Sequence, residues 1–248
     1  MAGLFWAPTY ARETALWATQ GIGGDAVNLL VVVPLLLISG LKTARGSDRA
    51  QLVWLGTQGY LLYNFFIYAF AVHFNALFLV YCAVLGFSFC STLCALPRLD
   101  VEAFASACAQ HAPRRLVAVM FFTLAALTAA GWLKEDIPAI VHGLVPDSIP
   151  PTGLPVNPVH ILDLSFLLPA LVITAVLLLR GRAIAHVLAP PLVVVLALIS
   201  LEIAGIGAAL IRKGYGGSPA MVILFVGLGC GFAALAWRYL RLIPARVP

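Results

Sequence analysis

The sequence predicts an all-α, polytopic membrane protein with seven transmembrane helices in a single domain, residues 1–248. Hydrophobic residues make up 62% of the chain and charged residues only 10%. Its apolar runs each reach about 18 residues or more, enough to cross about 30 Å of hydrocarbon as helix. No alternating pattern typical of strands is present, so helices are expected to satisfy the backbone hydrogen bonds in lipid.

Seven apolar runs follow one another with short connections, and we number them as predicted spans 1–7. Residues 1–21 are expected to form an outer amphipathic lead-in, and residues 134–158 an outer proline-rich loop. Gly227 and Gly231 form a G-x-x-x-G stripe in span 7, which predicts close helix packing there. The seven runs are 22–41, 51–72, 76–96, 114–133, 159–180, 187–211 and 218–240.

The basic residues predict the orientation. Eleven of the 15 Lys and Arg residues fall in the connections on one side or in the C-terminal tail. Since cytoplasmic loops are enriched in Lys and Arg, the N-terminus is expected outside and the C-terminus inside. The net charge of +5 reflects this bias. No basic patch is interleaved with aromatic residues on a soluble segment, so no nucleic-acid partner is expected.

Spans 1 and 5 resemble each other. Superposing Pro34 on Pro169 places Asn28 on Asp163, and it also places Arg45-Gly46 on Arg180-Gly181. Both spans run from outside to inside, which predicts a 3+1+3 parallel repeat, the plan of SWEET-type and PQ-loop transporters. The Pro-Gln pair of the latter is absent, because leucine and alanine follow the two prolines. Chance similarity between two leucine-rich helices is the alternative.

Polar side chains within or beside the spans are the candidate site residues. An ionisable group inside a span costs about 2.5–3.5 kcal/mol on insertion scales, so each requires a reason. Capping of a helix N-terminus is an alternative for Asp25 and Asp163. Glu202 and Asn64 lie deeper, which favours a polar pocket opening outward. The candidate ligand-binding residues are Asp25, Asn28, Tyr60, Asn64, Tyr68, Asn75, Glu135, His160, Asp163 and Glu202.

Metal and cofactor chemistry are weakly indicated. His160 and Asp163 share a helix face, and Glu135 could approach them to complete a zinc site. However, none of the five histidines forms an HxxxH or HExxH pair. Span 7 contains no lysine, which excludes a retinal Schiff base of the rhodopsin kind. We therefore expect no metal and no cofactor, and assign no catalytic residue.

Several blocks together resemble a family of uncharacterised bacterial multi-pass (seven-helix) integral membrane proteins. These blocks are VPLLL at 33–37, RGS at 45–47, YLLYN at 60–64, FNALFLVYCA at 74–83 and LPVNPVHILDLSFLLPAL at 154–171. The resemblance implies a multi-pass protein of the bacterial cytoplasmic (inner) membrane and no particular activity. It also implies that residues 154–163, which include Asn157, His160 and Asp163, are a hallmark of the family.

Three functional hypotheses follow. The first is binding or translocation of a small solute from the outer side, coupled to protons through Glu202 or Asp163. The second is a membrane enzyme at the outer leaflet that uses His160, Asp163 and Glu135. The third is a non-catalytic subunit of a membrane complex. The expected partners are the lipid bilayer and a small-molecule ligand, and the sequence is compatible with a homo-oligomer.

Overall fold

The computed structural model describes residues 7–108 and 112–243, and in these ranges all regular structure is helical. Shorter helical pieces are Ala7–Tyr10, Leu96–Arg98, Val101–Cys108 and Pro150–Thr152. We call Val101–Cys108 the short connecting helix. The long helices are α1 Ala15–Ala44, α2 Asp48–Ala71, α3 Phe78–Ala95, α4 Arg114–His142, α5 Pro158–Leu179, α6 Ala185–Lys213 and α7 Pro219–Leu240.

Six of these helices, all except α2, are long and apolar enough to cross a membrane. The chain is therefore an all-helical, multi-pass membrane protein by length and composition. With 24 residues, α2 is about 36 Å long, but its buried face carries polar groups such as Thr57, Gln58 and Asn64. These polar side chains lower its mean hydropathy, and they are tolerated because they are buried against neighbouring helices.

Two predicted boundaries differ from the structure by seven residues or more. The α1 helix begins at Ala15 and not at residue 22, because the Thr14 hydroxyl accepts the Trp17 N–H and caps it. The second part of the predicted lead-in is thus helical, while residues 1–6 lie outside the described ranges. At the other boundary, α4 continues to His142 and stops at Gly143, whose φ is +64°. The connection to α5 is therefore 143–157 and not 134–158.

Side-chain contacts define two ends of the bundle. At the upper end, Arg12 donates to the Phe74 carbonyl, and Thr14 donates to the Pro151 carbonyl. At the lower end, Arg49 Nε donates to the Ile243 carbonyl at 2.6 Å. The upper end thus holds the start of α1, and the lower end holds the last described residue.

Helix α6 is the centre of the packing, in contact with α1, α2, α5 and α7. Glycines allow three of these approaches. A Cβ on Gly23 would lie 2.6 Å from Ile206 Cα, and one on Gly56 would lie 2.7 Å from the Pro191 carbonyl oxygen. In α7 the packed glycine is Gly229, which faces Leu201. The prediction that Gly227 and Gly231 allow close helix packing is wrong, because a Cβ added at either residue would meet nothing within 4 Å.

The similarity of α1 and α5 extends to their backbone. Each contains one π-helical turn, Asn28–Val32 in α1 and Asp163–Leu167 in α5, two residues before Pro34 or Pro169. A proline within a helix lacks an N–H and crowds the carbonyl four residues back. The wider turn accommodates this defect, since the N–H of the residue before each proline bonds five residues back, to Asn28 or Asp163.

The two helices also end alike and have matching neighbours. Both end at an Arg-Gly pair in which the glycine has positive φ, +87° at Gly46 and +65° at Gly181. The upper part of α1 contacts α6 and its lower part contacts α2. In α5 the upper part contacts α2 and the lower part contacts α6, although the main neighbour of that lower part is α4. This reciprocal pattern extends the sequence match, and the full three-helix repeat stays a prediction.

Candidate functional site

A cavity of about 690 Å³ lies between α1, α2, α4, α5, α6 and α7 in the upper half of the bundle. It reaches from Trp17 and Val72 near the upper end to Phe232 in the middle of α7. Pockets of this volume hold organic ligands of moderate size. Most of the wall is aliphatic or aromatic, and its polar side chains come from α1, α2, α4, α5 and α6, with the two carboxylates on α5 and α6.

The first polar group behind this wall centres on Asp25. Its Oδ2 accepts the Tyr10 hydroxyl and its Oδ1 accepts the Tyr68 hydroxyl, both at 3.0 Å. Burial and the nearby Asp25 carboxyl raise the pKa of Tyr10 above its usual value, so this phenol remains a hydrogen-bond donor. Asp25 is buried below the two tyrosines, which themselves line the cavity.

The second group joins α1, α2 and α6. The Tyr60 hydroxyl donates to Asn28 Oδ1 at 2.9 Å. Asn64 Nδ2 then donates to the Tyr60 oxygen and to Glu202 Oε1, both at 2.7 Å. A Cβ on Gly24 would lie 3.0 Å from Glu202 Oε1. Glycine at this position therefore leaves room for the carboxylate beside α1.

The third group joins α2, α4 and α5. Asp163 accepts the Tyr63 hydroxyl at 3.0 Å and the Trp132 indole N–H at 2.9 Å. The Trp132 ring stacks on His160, with ring centroids 4.3 Å apart. His160 Nδ1 lies 3.0 Å from Asp136, which assigns its proton to that nitrogen and leaves Nε2 as a buried acceptor with no hydrogen-bond partner among the described residues.

The ten candidate residues fall into three sets. The first lines the cavity, the second lies behind its wall within the same hydrogen-bonded groups, and the third lies elsewhere. Asp25 and His160, which are candidate ligand-binding residues from the sequence, belong to the second set. The sets are Asn64, Tyr68, Asp163 and Glu202; Asp25, Asn28, Tyr60 and His160; and Asn75 and Glu135.

Asn75 and Glu135 are bound to the backbone at the upper end. Asn75 Oδ1 accepts the Leu77 N–H just before α3 begins. Glu135 Oε1 accepts the Ser148 N–H at 2.7 Å and borders a second, smaller cavity. Both side chains satisfy backbone groups left open by a helix end or a loop, so neither joins the main cavity.

Sequence reasoning missed several residues of the site. Tyr10 was missed because it precedes every predicted span. Trp132 was missed because a tryptophan near the end of a span is typical of a membrane-interface anchor. Trp132 and Asp136 are four residues apart on α4, and this spacing places both on one helix face. That spacing was the available signal for the stacked His160 arrangement.

A separate buried pair lies at the lower end. His186 at the start of α6 and Tyr239 near the end of α7 are both buried, with His186 Nδ1 2.7 Å from the Tyr239 oxygen. This contact links the two helices far along the bundle from the main cavity. Across residues 7–108 and 112–243, no group of three or more His, Cys, Asp or Glu side chains is arranged to hold a metal ion.

In comparisons with known proteins, no family model, curated protein or solved structure matches this chain.

Proposed function

We propose that this protein binds and translocates a small solute through the cavity between its helices. It does so in a bacterial cytoplasmic membrane that it crosses seven times, with the upper end outside. The distribution of Lys and Arg supports this orientation, since the lower end carries most of them. Glu202 and Asp163 are the residues proposed to couple the movement of the solute to protons.

The observation that carries the proposal is the position of Glu202. Its carboxylate lies on the wall of a 690 Å³ cavity and is held by Asn64 from another helix. Ionisable groups in membrane-spanning helices are costly and commonly mark the paths of ions or substrates. The reciprocal contacts of α1 and α5 agree with the parallel-repeat plan of known transporters.

The enzymatic hypothesis has less support. It needs His160, Asp163 and Glu135 to converge, but Glu135 is bound to the Ser148 backbone and His160 is paired with Asp136. Asp163 is already occupied by two hydrogen-bond donors. The side chains are therefore held in place as the wall of a binding site, and they do not converge on one substrate atom as catalytic groups would.

Cysteine accessibility tests the proposal. Thr128 on α4 lines the cavity, whereas Ala126, two residues earlier, is exposed on the outside of the bundle. In a background with the four exposed native cysteines changed to alanine, Thr128→Cys should react with a water-soluble methanethiosulfonate. Ala126→Cys should not, because lipid covers it. The four are Cys82, Cys90, Cys94 and Cys230.

The same variant separates translocation from binding. In oriented vesicles, translocation requires that Thr128→Cys become reactive from each side of the membrane in turn. Reaction from the upper side alone would contradict translocation and would indicate a protein that only binds its solute. Equal reactivity of the two positions, or none at either, would contradict a water-accessible cavity and with it the proposal. The variant with the four cysteines changed to alanine and no cysteine introduced retains the buried Cys108, and its labelling gives the baseline.

A further inference from the structure

We propose that the ligand of this cavity is an apolar molecule that carries one protonated amine. This inference rests on the proposed function and specifies its substrate class. The starting observation is the charge of the wall. The two ionisable acids that line the cavity are Asp163 and Glu202, and no Lys, Arg or His among the described residues lines it.

Glu202 is the carboxylate with acceptor capacity to spare. Asp25 and Asp163 each accept two side-chain donors, from Tyr10 and Tyr68 or from Tyr63 and Trp132. Among the described residues, the Asn64 amide is the donor whose hydrogen bond to Glu202 is defined by geometry. The Tyr60 hydroxyl lies close enough to the same carboxylate to interact with it, but it donates its one proton to Asn28 Oδ1, which cannot itself donate. A ligand with N–H groups and a positive charge therefore complements Glu202.

Aromatic rings on the wall favour the same charge. Trp17, Tyr63, Tyr68 and Trp132 all line the cavity. The face of an aromatic ring attracts a cation, and this attraction is stronger where water is excluded. An anionic ligand would meet these rings and two carboxyl groups without any basic side chain to compensate its charge.

The rest of the wall determines the body of the ligand. It is formed by aliphatic and phenyl side chains, among them Leu124, Leu171, Leu196, Ile199, Phe225 and Phe232. A sugar would leave hydroxyl groups without partners against this surface, at a considerable cost in free energy. A bare metal ion needs several oxygen ligands and would not occupy a volume of about 690 Å³. An apolar body with a single cationic end complements both the apolar side chains of the wall and the Glu202 carboxylate.

A matched series of fluorescent probes tests the inference on the full chain in phosphatidylcholine nanodiscs. The probes are 1-pyrenebutylamine, 1-pyrenebutanol and 1-pyrenebutyrate, which share one apolar body and differ in the terminal group. Trp17 and Trp132 on the wall serve as energy-transfer donors to pyrene. Empty nanodiscs and competition by excess 4-phenylbutylamine correct for probe dissolved in lipid.

The amine should bind saturably, with a Kd about tenfold or more below that of the alcohol, because one charge-assisted hydrogen bond is gained. The carboxylate should bind more weakly than both. Glu202→Gln should remove the preference for the amine, and Glu102→Gln, on the exposed surface of the short connecting helix, should retain it. The comparison of probes on the unmodified protein needs no variant, so it remains decisive if Glu202→Gln does not fold.

A second pair of variants locates the binding. Gly131 lines the cavity and Gly227 faces away from it, and an added Cβ at either meets nothing within 4 Å. Gly131→Phe should abolish saturable binding, whereas Gly227→Phe should leave it intact. If the three probes bind equally and Gly131→Phe blocks them all, the cavity is a binding site and the amine inference is overturned. If no probe binds saturably, the proposed function is overturned as well.

Discussion

The crossing of α1 and α6 gives a sharp prediction about stability. Replacing Gly23 by alanine places a Cβ 2.6 Å from Ile206 Cα and 2.7 Å from the Gly205 carbonyl oxygen. Carbon atoms in contact prefer separations of about 3.5–4.0 Å, so the helices must move apart by about 1 Å. Because both obstructing atoms are backbone atoms, no change of rotamer can relieve the contact.

Gly131→Ala is the matched comparison. It is the same substitution within a long helix, and its added methyl group meets nothing within 4 Å. The gain in helix propensity, about 1 kcal/mol, is common to both variants and cancels. The remaining difference is the overpacking cost of about 1–3 kcal/mol. At about 2–4 °C per kcal/mol for a chain of this size, Gly23→Ala should unfold about 2–12 °C below Gly131→Ala.

Thermal unfolding of the purified variants in one detergent, followed by tryptophan fluorescence, measures this difference. Gly227→Ala, a second substitution into open space, should behave like Gly131→Ala. Equal transition temperatures for the Gly23 and Gly131 variants would refute the close approach of α1 and α6. The position of Glu202 beside α1 would then also have to be revised.

Three further outcomes are expected. Val145→Cys should react with an impermeant thiol reagent from outside the cell and Ala44→Cys should not, because the two exposed positions lie at opposite ends of the bundle. Trp132→Phe should lower the free energy of unfolding by about 1–3 kcal/mol in a chemical-denaturation experiment, because it removes an N–H bonded to the buried Asp163. Tyr239→Phe should cost a similar amount, about 1–3 kcal/mol, since its hydroxyl oxygen lies 2.7 Å from a buried imidazole nitrogen.

Each of these outcomes has its own control. Reversed labelling of the two cysteine variants would invert the proposed orientation. For Trp132, a variant at an exposed indole, Trp237→Phe, should have a much smaller effect, and an equal loss would argue against the bond to Asp163. For Tyr239, the corresponding control is Tyr215→Phe, because Tyr215 is exposed. No loss of stability in Tyr239→Phe would contradict the buried contact.

The sequence predicted the long helices because lipid imposes a simple requirement on them. A backbone that crosses hydrocarbon must satisfy its own hydrogen bonds, so a long apolar run can only be a helix of membrane length. The match of Pro34 with Pro169 also predicted where two helices resemble each other, since a proline perturbs a helix in the same way wherever it occurs. The boundaries were less predictable, because Thr14 caps α1 and the helix begins seven residues before the apolar run.

The arrangement of the site could be predicted only in part. Asp25 and Glu202 are both carboxylates near the same level, and nothing in their sequence neighbourhood shows that two tyrosine hydroxyls occupy one of them. That difference depends on the rotation of each helix, which is set by packing at glycines such as Gly23. The charge of Glu135 made it a candidate site residue, but its carboxylate accepts a hydrogen bond from the backbone N–H of Ser148 instead.

The paired π-helical turns have a mechanical consequence. In α1 the turn separates an upper part that packs on α6 from a lower part that packs on α2, and in α5 it separates an upper part in contact with α2 from a lower part that packs on α4 and α6. Each helix is therefore built of two pieces, joined at the point where a proline has already removed one rung of the hydrogen-bond ladder. Asp25 and His160 both lie above these joints, so a bend there would move Asp25 relative to Tyr68 and His160 relative to Asp136, and it would be felt first at the polar groups behind the cavity wall.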